Sequence, residues 1–432
     1  MPLRCVPLHF FRAAVVLALV VVGSAAGAYE TPAWPVDRVL PASEQSGAHF
    51  RVLDPVTSDG IMPQYRIETP YGAFEAYGHG HLVARLHELK ALEVTRDTSE
   101  LDVVAETTRR QVEGTLKTVA GVARDPLGTV GGLPRGIVNL FRGTAAQARE
   151  FGRSAAKATR KEKTKGKSKA GAPPDASAPP AKSPAERYAE RYLGITAGER
   201  RWYERLTVDP YTDNEPLRQD IRHLAQVEAA TSLGLRFASL PSVPYASDLQ
   251  RVMNAVYQED PAVLRERRRE ALLGYGLSEA ELEAFEEAPA LSPTRQLRLA
   301  TAAARLADVQ GLGELFRQAS QLQSTDEAEL YVASAELLGR LHAKQPLKRI
   351  LPDLRLPAGA FNDAAGGVVV IAAESVFWTE LTERGESSVR ASLPGQMQPI
   401  ELWVEGYVSD EALRELHARG WTVRAYAFDD MP

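Results

Sequence analysis

Residues 400–428 read IELWVEGYVSDEALRELHARGWTVRAYAF, and this stretch decides the architecture of the carboxyl-terminal part of the chain. Residues 400–404 are rich in β-forming side chains, and residues 421–428 alternate between apolar and polar side chains. Between them, Ser409 is placed to cap a helix over residues 410–419, which Gly420 ends. A strand, a capped helix and a strand within about 30 residues predict a βαβ unit with parallel strands.

The residues before this unit predict one further strand and a long run of helices. Residues 367–373 (GVVVIAA) are apolar and β-rich, which indicates a buried strand. Upstream, apolar residues recur at helical spacing between proline, glycine and capping residues. No fixed period relates these segments, so they predict a helical bundle and not a repeat array. The predicted helices cover residues 185–193, 197–206, 216–232, 247–258, 261–273, 278–287, 292–307 and 326–342.

The amino-terminal part predicts a β-hairpin followed by two helices. Residues 49–53 and 65–74 alternate as strands do, and Thr69-Pro70-Tyr71-Gly72 interrupts the second segment with turn-forming residues. Helical spacing of apolar residues follows over residues 81–94 and again from about Ser99. Residues 161–184 contain no large apolar side chain, so this basic, Pro- and Ala-rich segment is expected to be a disordered linker.

These patterns together predict a mainly α protein. A helical bundle would follow the disordered linker, with a small α+β region at the amino end and a small α/β (βαβ) region at the carboxyl end. The expected divisions are a signal peptide (1–28), an α+β region (29–97), a long amphipathic helical region (98–160), the linker (161–184), the bundle (185–345) and the α/β domain (346–432).

The first 28 residues have the order of a secretory signal peptide. Arg4 and Arg12 precede ten apolar residues, and small residues then lead to an A-x-A cleavage site at Ala26 and Ala28. Ten residues are far fewer than the roughly 20 that a membrane-spanning helix needs. The sequence therefore predicts cleavage near Ala28 and a periplasmic protein.

Cleavage there would remove the only cysteine, Cys5, so the mature chain would have no disulfide, thiolate ligand or cysteine nucleophile. It would also remove two arginines and no acid, which moves the net charge from −5 to −7. This acidic balance excludes a globally basic nucleic-acid binder. The stretch at 128–136 (GTVGGLPRG) lacks the Gly-Lys-Ser/Thr of a phosphate-binding loop, so no nucleotide is expected.

Residues 127–161 carry an apolar stripe beside a basic one, as a helix on a membrane surface does. One interpretation is contact with an anionic membrane surface or polymer, and the alternative is a packed helix that runs into a solvated basic linker. Under the first interpretation the contact residues are Ile137, Phe141, Arg142, Arg149, Arg153, Lys157 and Arg160.

Three histidines form a candidate metal cluster, since His79 and His81 lie two residues apart and His87 follows. A closed zinc site needs a fourth ligand that the pattern does not place, so exposed histidines at a helix start are the favoured interpretation. The acidic stretch at 208–217 (VDPYTDNEPL) suggests a calcium loop but lacks its glycine and its final glutamate, which favours a structural turn. We therefore expect no metal and no cofactor.

Two features of the carboxyl-terminal part bear on catalysis and binding. Ser375 follows a buried strand, as a nucleophile does, but it lacks the flanking glycines of a nucleophile elbow. Trp378, Trp403 and Trp421 could offer a stacking platform for a glycan, although packing in a core is the favoured interpretation.

Two elements support a resemblance. One is Asp209-Pro210-Tyr211-Thr212 with Asn214 and Leu217, and the other runs through residues 125–136 as DPxGxxxGxPxG. With these the chain resembles uncharacterised exported proteins of Gram-negative bacteria. The resemblance implies export and carries no activity, cofactor or site residue.

The sequence predicts a non-catalytic exported envelope protein, a helical scaffold or interaction module whose partner is an envelope protein or an anionic membrane surface. No metal, nucleotide, serine, cysteine or zinc-protease signature is complete. The alternative is a hydrolase whose site combines distant residues, such as Ser375 and His417 with an acid.

Overall fold

The described part of the chain contains both helices and sheets. A computed structural model describes residues 29–98, 194–231, 247–352, 354–361, 366–393 and 399–429. The strands are β1 (Ala33–Trp34), β2 (Ser46–Gly47), β3 (Phe50–Val52), β4 (Val56–Ser58), β5 (Pro63–Thr69), β6 (Gly72–Tyr77), β7 (Arg349–Ile350), β8 (Ala358–Ala360), β9 (Gly367–Ile371), β10 (Ser375–Val376), β11 (Ile400–Val404), β12 (Tyr407–Val408) and β13 (Trp421–Arg424). The helices are α1 (Val36–Val39), α2 (Ala42–Gln45), α3 (His79–Asp97), α4 (Ala197–Leu206), α5 (Glu215–Thr231), α6 (Ser247–Gln258), α7 (Pro261–Gly274), α8 (Glu279–Glu287), α9 (Pro293–Ala304), α10 (Gly313–Ala319), α11 (Thr325–Lys344), α12 (Glu380–Ser392) and α13 (Asp410–Ala418).

Strands β1–β6 form the amino-terminal sheet, in which β5 and β6 make the predicted hairpin. Thr69 pairs with Gly72 at its tip, where a φ of +125° at Gly72 gives the turn its shape. Strand β3 also pairs with β5, so the sheet has more strands than the two segments predicted. Helix α3 buries Leu82, Leu86 and Leu89 against this sheet because they recur at helical spacing.

The helical part, α4–α11, follows the predicted segments closely. Helices α4 and α6 begin and end at the predicted residues, and α4 begins with a capping box between Thr196 and Glu199. Helix α10 was not predicted, because seven residues hold too few turns to show a period. The helix predicted at 185–193, the long region at 98–160 and the linker lie outside the described residues.

Strands β7, β8, β9, β11 and β13 form the carboxyl-terminal sheet, in the order β13-β11-β9-β8-β7. The predicted βαβ unit is confirmed, since β11 and β13 run parallel with Ile400 opposite Trp421. Strand β9 lies parallel to β11 on its other side. Helix α11 covers one face of this sheet, and α12 and α13 cover the other. Burial on both faces explains why β9 is apolar throughout.

The described residues therefore form a mixed α/β protein, and the expectation of a mainly α fold is only partly confirmed. Sheets at both ends of the chain make up more of the structure than the sequence indicated, although thirteen helices dominate the described part. None of the described helices combines the length and the apolar character needed to cross a membrane. The division into domains stays a prediction.

Candidate functional site

A cavity of about 1320 Å³ lies where the amino-terminal sheet, the helical part and the carboxyl-terminal sheet meet. We call it the central cavity. Its walls are α3, the loop before α5, the starts of α9 and α11, and the ends of β9 and β11. Open α/β sheets bind ligands at the carboxyl ends of parallel strands, and pockets favour the junctions between structural units.

The wall formed by the carboxyl-terminal sheet contains a β-bulge. Ile371 pairs with Val404, and the next pairing along these chains is Ser375 with Tyr407. Three residues, 372–374, thus lie opposite two, Glu405 and Gly406. A bulge of this kind bends the strand and redirects the side chains beside it.

The bulge leaves no room for a side chain at residue 406. A Cβ atom built on Gly406 would lie 2.0 Å from the carbonyl oxygen of Glu374 and 3.0 Å from that of Ala373. The close approach lets the backbone N–H of Gly406 donate to the Ala373 carbonyl at 2.9 Å. Glycine is therefore a requirement of this wall.

The redirected side chain of Glu374 caps α3, which belongs to the other end of the chain. Its carboxylate accepts hydrogen bonds from the backbone N–H groups of His79 and Gly80. Gly78 precedes the helix with a φ of +87° and has no side chain to serve as a cap. Burial raises the pKa of Glu374, and the two N–H donors oppose that shift.

Replacing Glu374 with alanine is expected to lower the free energy of unfolding by about 1 kcal/mol, the usual cost of a lost helix cap. Glu374→Gln is the matched control, because its amide oxygen still accepts one of the two bonds, so we expect a smaller loss. Urea denaturation of both variants measures the difference. Equal stability of Glu374→Ala and the wild type would contradict the capping role.

An ion network joins α3 to the loop before α5. Arg85 is 4% exposed and donates to Glu88 at 2.6 Å and to Asp213 at 2.5 Å. Glu88 also accepts from the Thr212 hydroxyl at 2.5 Å and from Asn214 at 3.4 Å. Three groups therefore donate to the Glu88 carboxylate, and two of them come from the loop before α5, which fixes the loop on the helix.

Burial and the charge of Arg85 together shift the pKa values of Glu88, Asp213 and His81. Burial raises the pKa of Glu88, and Arg85 opposes the shift without cancelling it. Burial would also raise the pKa of Asp213, but Arg85 outweighs it and the pKa is lowered. Burial and then the charge of Arg85 lower the pKa of His81, which keeps this imidazole neutral near pH 7.

The acidic stretch at 208–217 is the structural turn that the sequence favoured. Asp209 accepts from the backbone N–H of Tyr211 at 2.9 Å, and Asn214 accepts from that of Leu217 at 3.2 Å at the start of α5. Residues 209–213 line the central cavity, among them both aspartates, Asp209 and Asp213.

The three candidate histidines point to different partners. His79 contacts Glu44 at 2.7 Å, His81 accepts from the Tyr77 backbone, and His87 contacts the carbonyl of Leu206. The interpretation as exposed histidines is wrong for His81 and His87, which are half-buried because α3 packs along the loop and the helical part. Within the described part of the chain, no three His, Cys, Asp or Glu residues are grouped to hold a metal ion.

The residues named for a hydrolase do not meet. Ser409 at the start of α13 bonds to the Val376 carbonyl, so this end of the helix lies beside Ser375. His417 comes eight residues later, about 12 Å along the helix axis, towards the turn into β13. Ser375 lines the central cavity, whereas His417 lies towards the opposite edge of the sheet and is not among the lining residues.

The tryptophans named for a glycan platform are core residues. Trp378, Trp403 and Trp421 are all buried, and the cavity instead has Trp34 and the tyrosines Tyr65, Tyr77 and Tyr211 in its walls. No local pattern marked Trp34, because its strand has only two residues.

The seven proposed membrane contacts lie outside the described residues. They are Ile137, Phe141, Arg142, Arg149, Arg153, Lys157 and Arg160.

Carboxylates outnumber arginines around the central cavity. Six carboxylates line it, against three arginines, Arg218, Arg295 and Arg298. Arg295 and Arg298 both bind Glu329, whose pKa they lower to about 2 against the effect of burial, and Arg298 also binds Glu336 at 2.9 Å. This wall is a preformed, internally neutralised network.

No protein-family model, no curated protein and no solved structure matches the chain, so the residues of the central cavity carry the functional argument alone.

Proposed function

We propose that the protein is a non-catalytic exported envelope protein that binds a small molecule in the central cavity. The cavity itself is the observation that carries the proposal. Its 1320 Å³ exceeds the roughly 300–1,000 Å³ of common ligand sites. Its position at the carboxyl ends of β9 and β11 is where open α/β sheets bind ligands.

The composition of the walls supports binding over catalysis. The arginines in the described walls bind carboxylates, as Arg298 binds Glu329, and so hold their positions without a ligand. A nucleophile needs a base within about 3 Å, and the described contacts of Ser375 include no imidazole. A fixed polar frame with apolar surface between its groups is what a binding site requires.

Export is part of the same proposal and rests on residues 1–28. N-terminal sequencing of the mature protein should begin at or near Tyr29. Contact of residues 127–161 with an anionic membrane surface remains a proposal from the sequence, and so does an envelope protein as partner.

A thermal-shift screen of the purified protein tests the binding function. Amines, neutral sugars, dicarboxylates and divalent cations are the four ligand classes. A ligand at 100 times its Kd adds about 2.7 kcal/mol, which raises the Tm by several degrees in a protein of this size. We expect one class to do so.

Two tryptophan variants locate the binding. Gly80 lines the cavity and Gly274 ends α7 on the surface, and a Cβ on either would meet no atom within 4 Å. Gly80→Trp should fill part of the cavity and abolish the ligand-induced shift, whereas Gly274→Trp should leave it intact. A shift that persists in Gly80→Trp, or the absence of a shift with every class, would refute the proposal.

A further inference from the structure

The arginines that line the central cavity already have anionic partners. Arg218 binds Glu215 at 3.1 Å, Arg295 binds Glu329 at 3.0 Å, and Arg298 binds Glu329 and Glu336. At Arg295 and Arg298, an anionic ligand would have to take the cations from Glu329 and Glu336 and leave these partly buried carboxylates unpaired, which is costly. The lining therefore disfavours phosphates and carboxylates as ligands.

Three lining carboxylates, in contrast, form no salt bridge among the described residues. Glu374 accepts only from backbone N–H groups, and Asp209 accepts from the Tyr211 backbone and the Thr294 hydroxyl. The Glu405 carboxylate makes no hydrogen bond or salt bridge in the described part. Burial raises the pKa of Asp209 and of Glu374, so a cation beside either carboxylate would offset part of the free-energy cost of its desolvation. Glu405 is exposed to the solvent of the cavity, and the charge of Arg340 opposes the rise in its pKa.

These carboxylates occupy different walls with aromatic and apolar surface between them. Glu374 and Glu405 belong to the carboxyl-terminal sheet, whereas Asp209 belongs to the loop before α5. Trp34, Tyr65 and Tyr211 also line the cavity, together with Met62 and Met253. Aromatic faces attract ammonium groups, and apolar side chains bury methylene groups.

We infer that the central cavity binds an aliphatic amine with two or more amino groups, whose ammonium ends approach the carboxylates of different walls while its methylene chain packs on the aromatic rings. The inference rests on the proposed function, because it names the ligand class of the same cavity. A single metal ion fits the arrangement less well, because its oxygen ligands must converge within about 2.6 Å of one point.

Isothermal titration of the purified protein with spermidine is the test, and Glu405→Gln is the decisive variant. The Glu405 carboxylate makes no described hydrogen bond or salt bridge, and its one described bond is from its backbone N–H to the Ile371 carbonyl, which glutamine keeps, so the variant should fold normally. Loss of one charged contact should weaken binding roughly tenfold to a hundredfold. Glu283→Gln is the control, since Glu283 is exposed on α8 away from the cavity and its loss changes the net charge equally. We expect it to leave the Kd within about twofold of the wild type, because a distant exposed charge is screened.

Each contrary outcome has a distinct meaning. Equal weakening by Glu405→Gln and Glu283→Gln would show attraction to the net charge alone and overturn the inference. Stabilisation by a neutral sugar, a dicarboxylate or Ca²⁺ but not by spermidine would overturn the ligand class and leave the binding function standing. Failure of all four classes to bind would overturn both.

Discussion

Replacing Gly406 with alanine is expected to lower the free energy of unfolding by about 3 kcal/mol, at the upper end of what overpacking costs. The added Cβ would lie 2.0 Å from the Glu374 carbonyl oxygen, and the obstacle is backbone, which cannot rotate away as a side chain can. The bulge between β9 and β11 would have to open, and the Glu374 carboxylate would lose its position at the start of α3. We therefore expect the variant to lose ligand binding as well as stability.

Gly385→Ala is the matched control for this prediction. Gly385 lies within α12, and a Cβ there would meet no atom within 4 Å. Alanine favours a helix over glycine by up to about 1 kcal/mol, so this variant should be as stable as the wild type or more so. Urea denaturation with unchanged m-values measures both variants. Gly406→Ala with wild-type stability would mean that the bulge does not have the described geometry.

Local patterns in the sequence were sufficient for much of the fold. The turn at Thr69–Gly72 predicted the hairpin, and Ser409 with Gly420 predicted the bounds of α13 within two residues. Such signals succeed because capping and turn formation depend on residues only a few positions apart. Helix α12 shows the limit. It contains Gly385 and three serines and has few apolar side chains, so neither propensity nor periodicity marks it.

The candidate site could not be predicted in the same way, because its groups come from distant parts of the chain. Glu374 caps a helix that begins 295 positions earlier, and Arg85 binds an aspartate 128 positions later. The bulge depends on the pairing register of two strands, which no single segment encodes. Gly406 was the one available signal, since a glycine directly after an apolar strand often marks a bulge or a close backbone approach.

Replacing Arg85 with methionine is expected to lower the free energy of unfolding by about 3 kcal/mol at pH 8. The change removes the cation from a buried ion pair and leaves the charged Glu88 in the low-dielectric interior of the protein. Methionine keeps much of the apolar volume against Phe74, over which the guanidinium lies. Arg38→Met is the control, since Arg38 is exposed on α1 and such substitutions change stability by less than about 0.5 kcal/mol. Adding Glu88→Gln to Arg85→Met should restore part of the loss, because the amide oxygen still accepts from Thr212.

The cost of Arg85→Met should fall as the pH is lowered from 8 to 5. Burial already raises the pKa of Glu88 above its ordinary value, and removal of Arg85 raises it further. The folded variant then binds the Glu88 proton more tightly than the unfolded chain does, so its stability is greatest at low pH and is lost as the pH rises through the folded pKa. His81 acts in the same direction, since without Arg85 its protonation at low pH costs less. Urea denaturation of the wild type and the variant at pH 5 and pH 8 measures the change, and an equal loss at both values would show that Glu88 does not carry the effect.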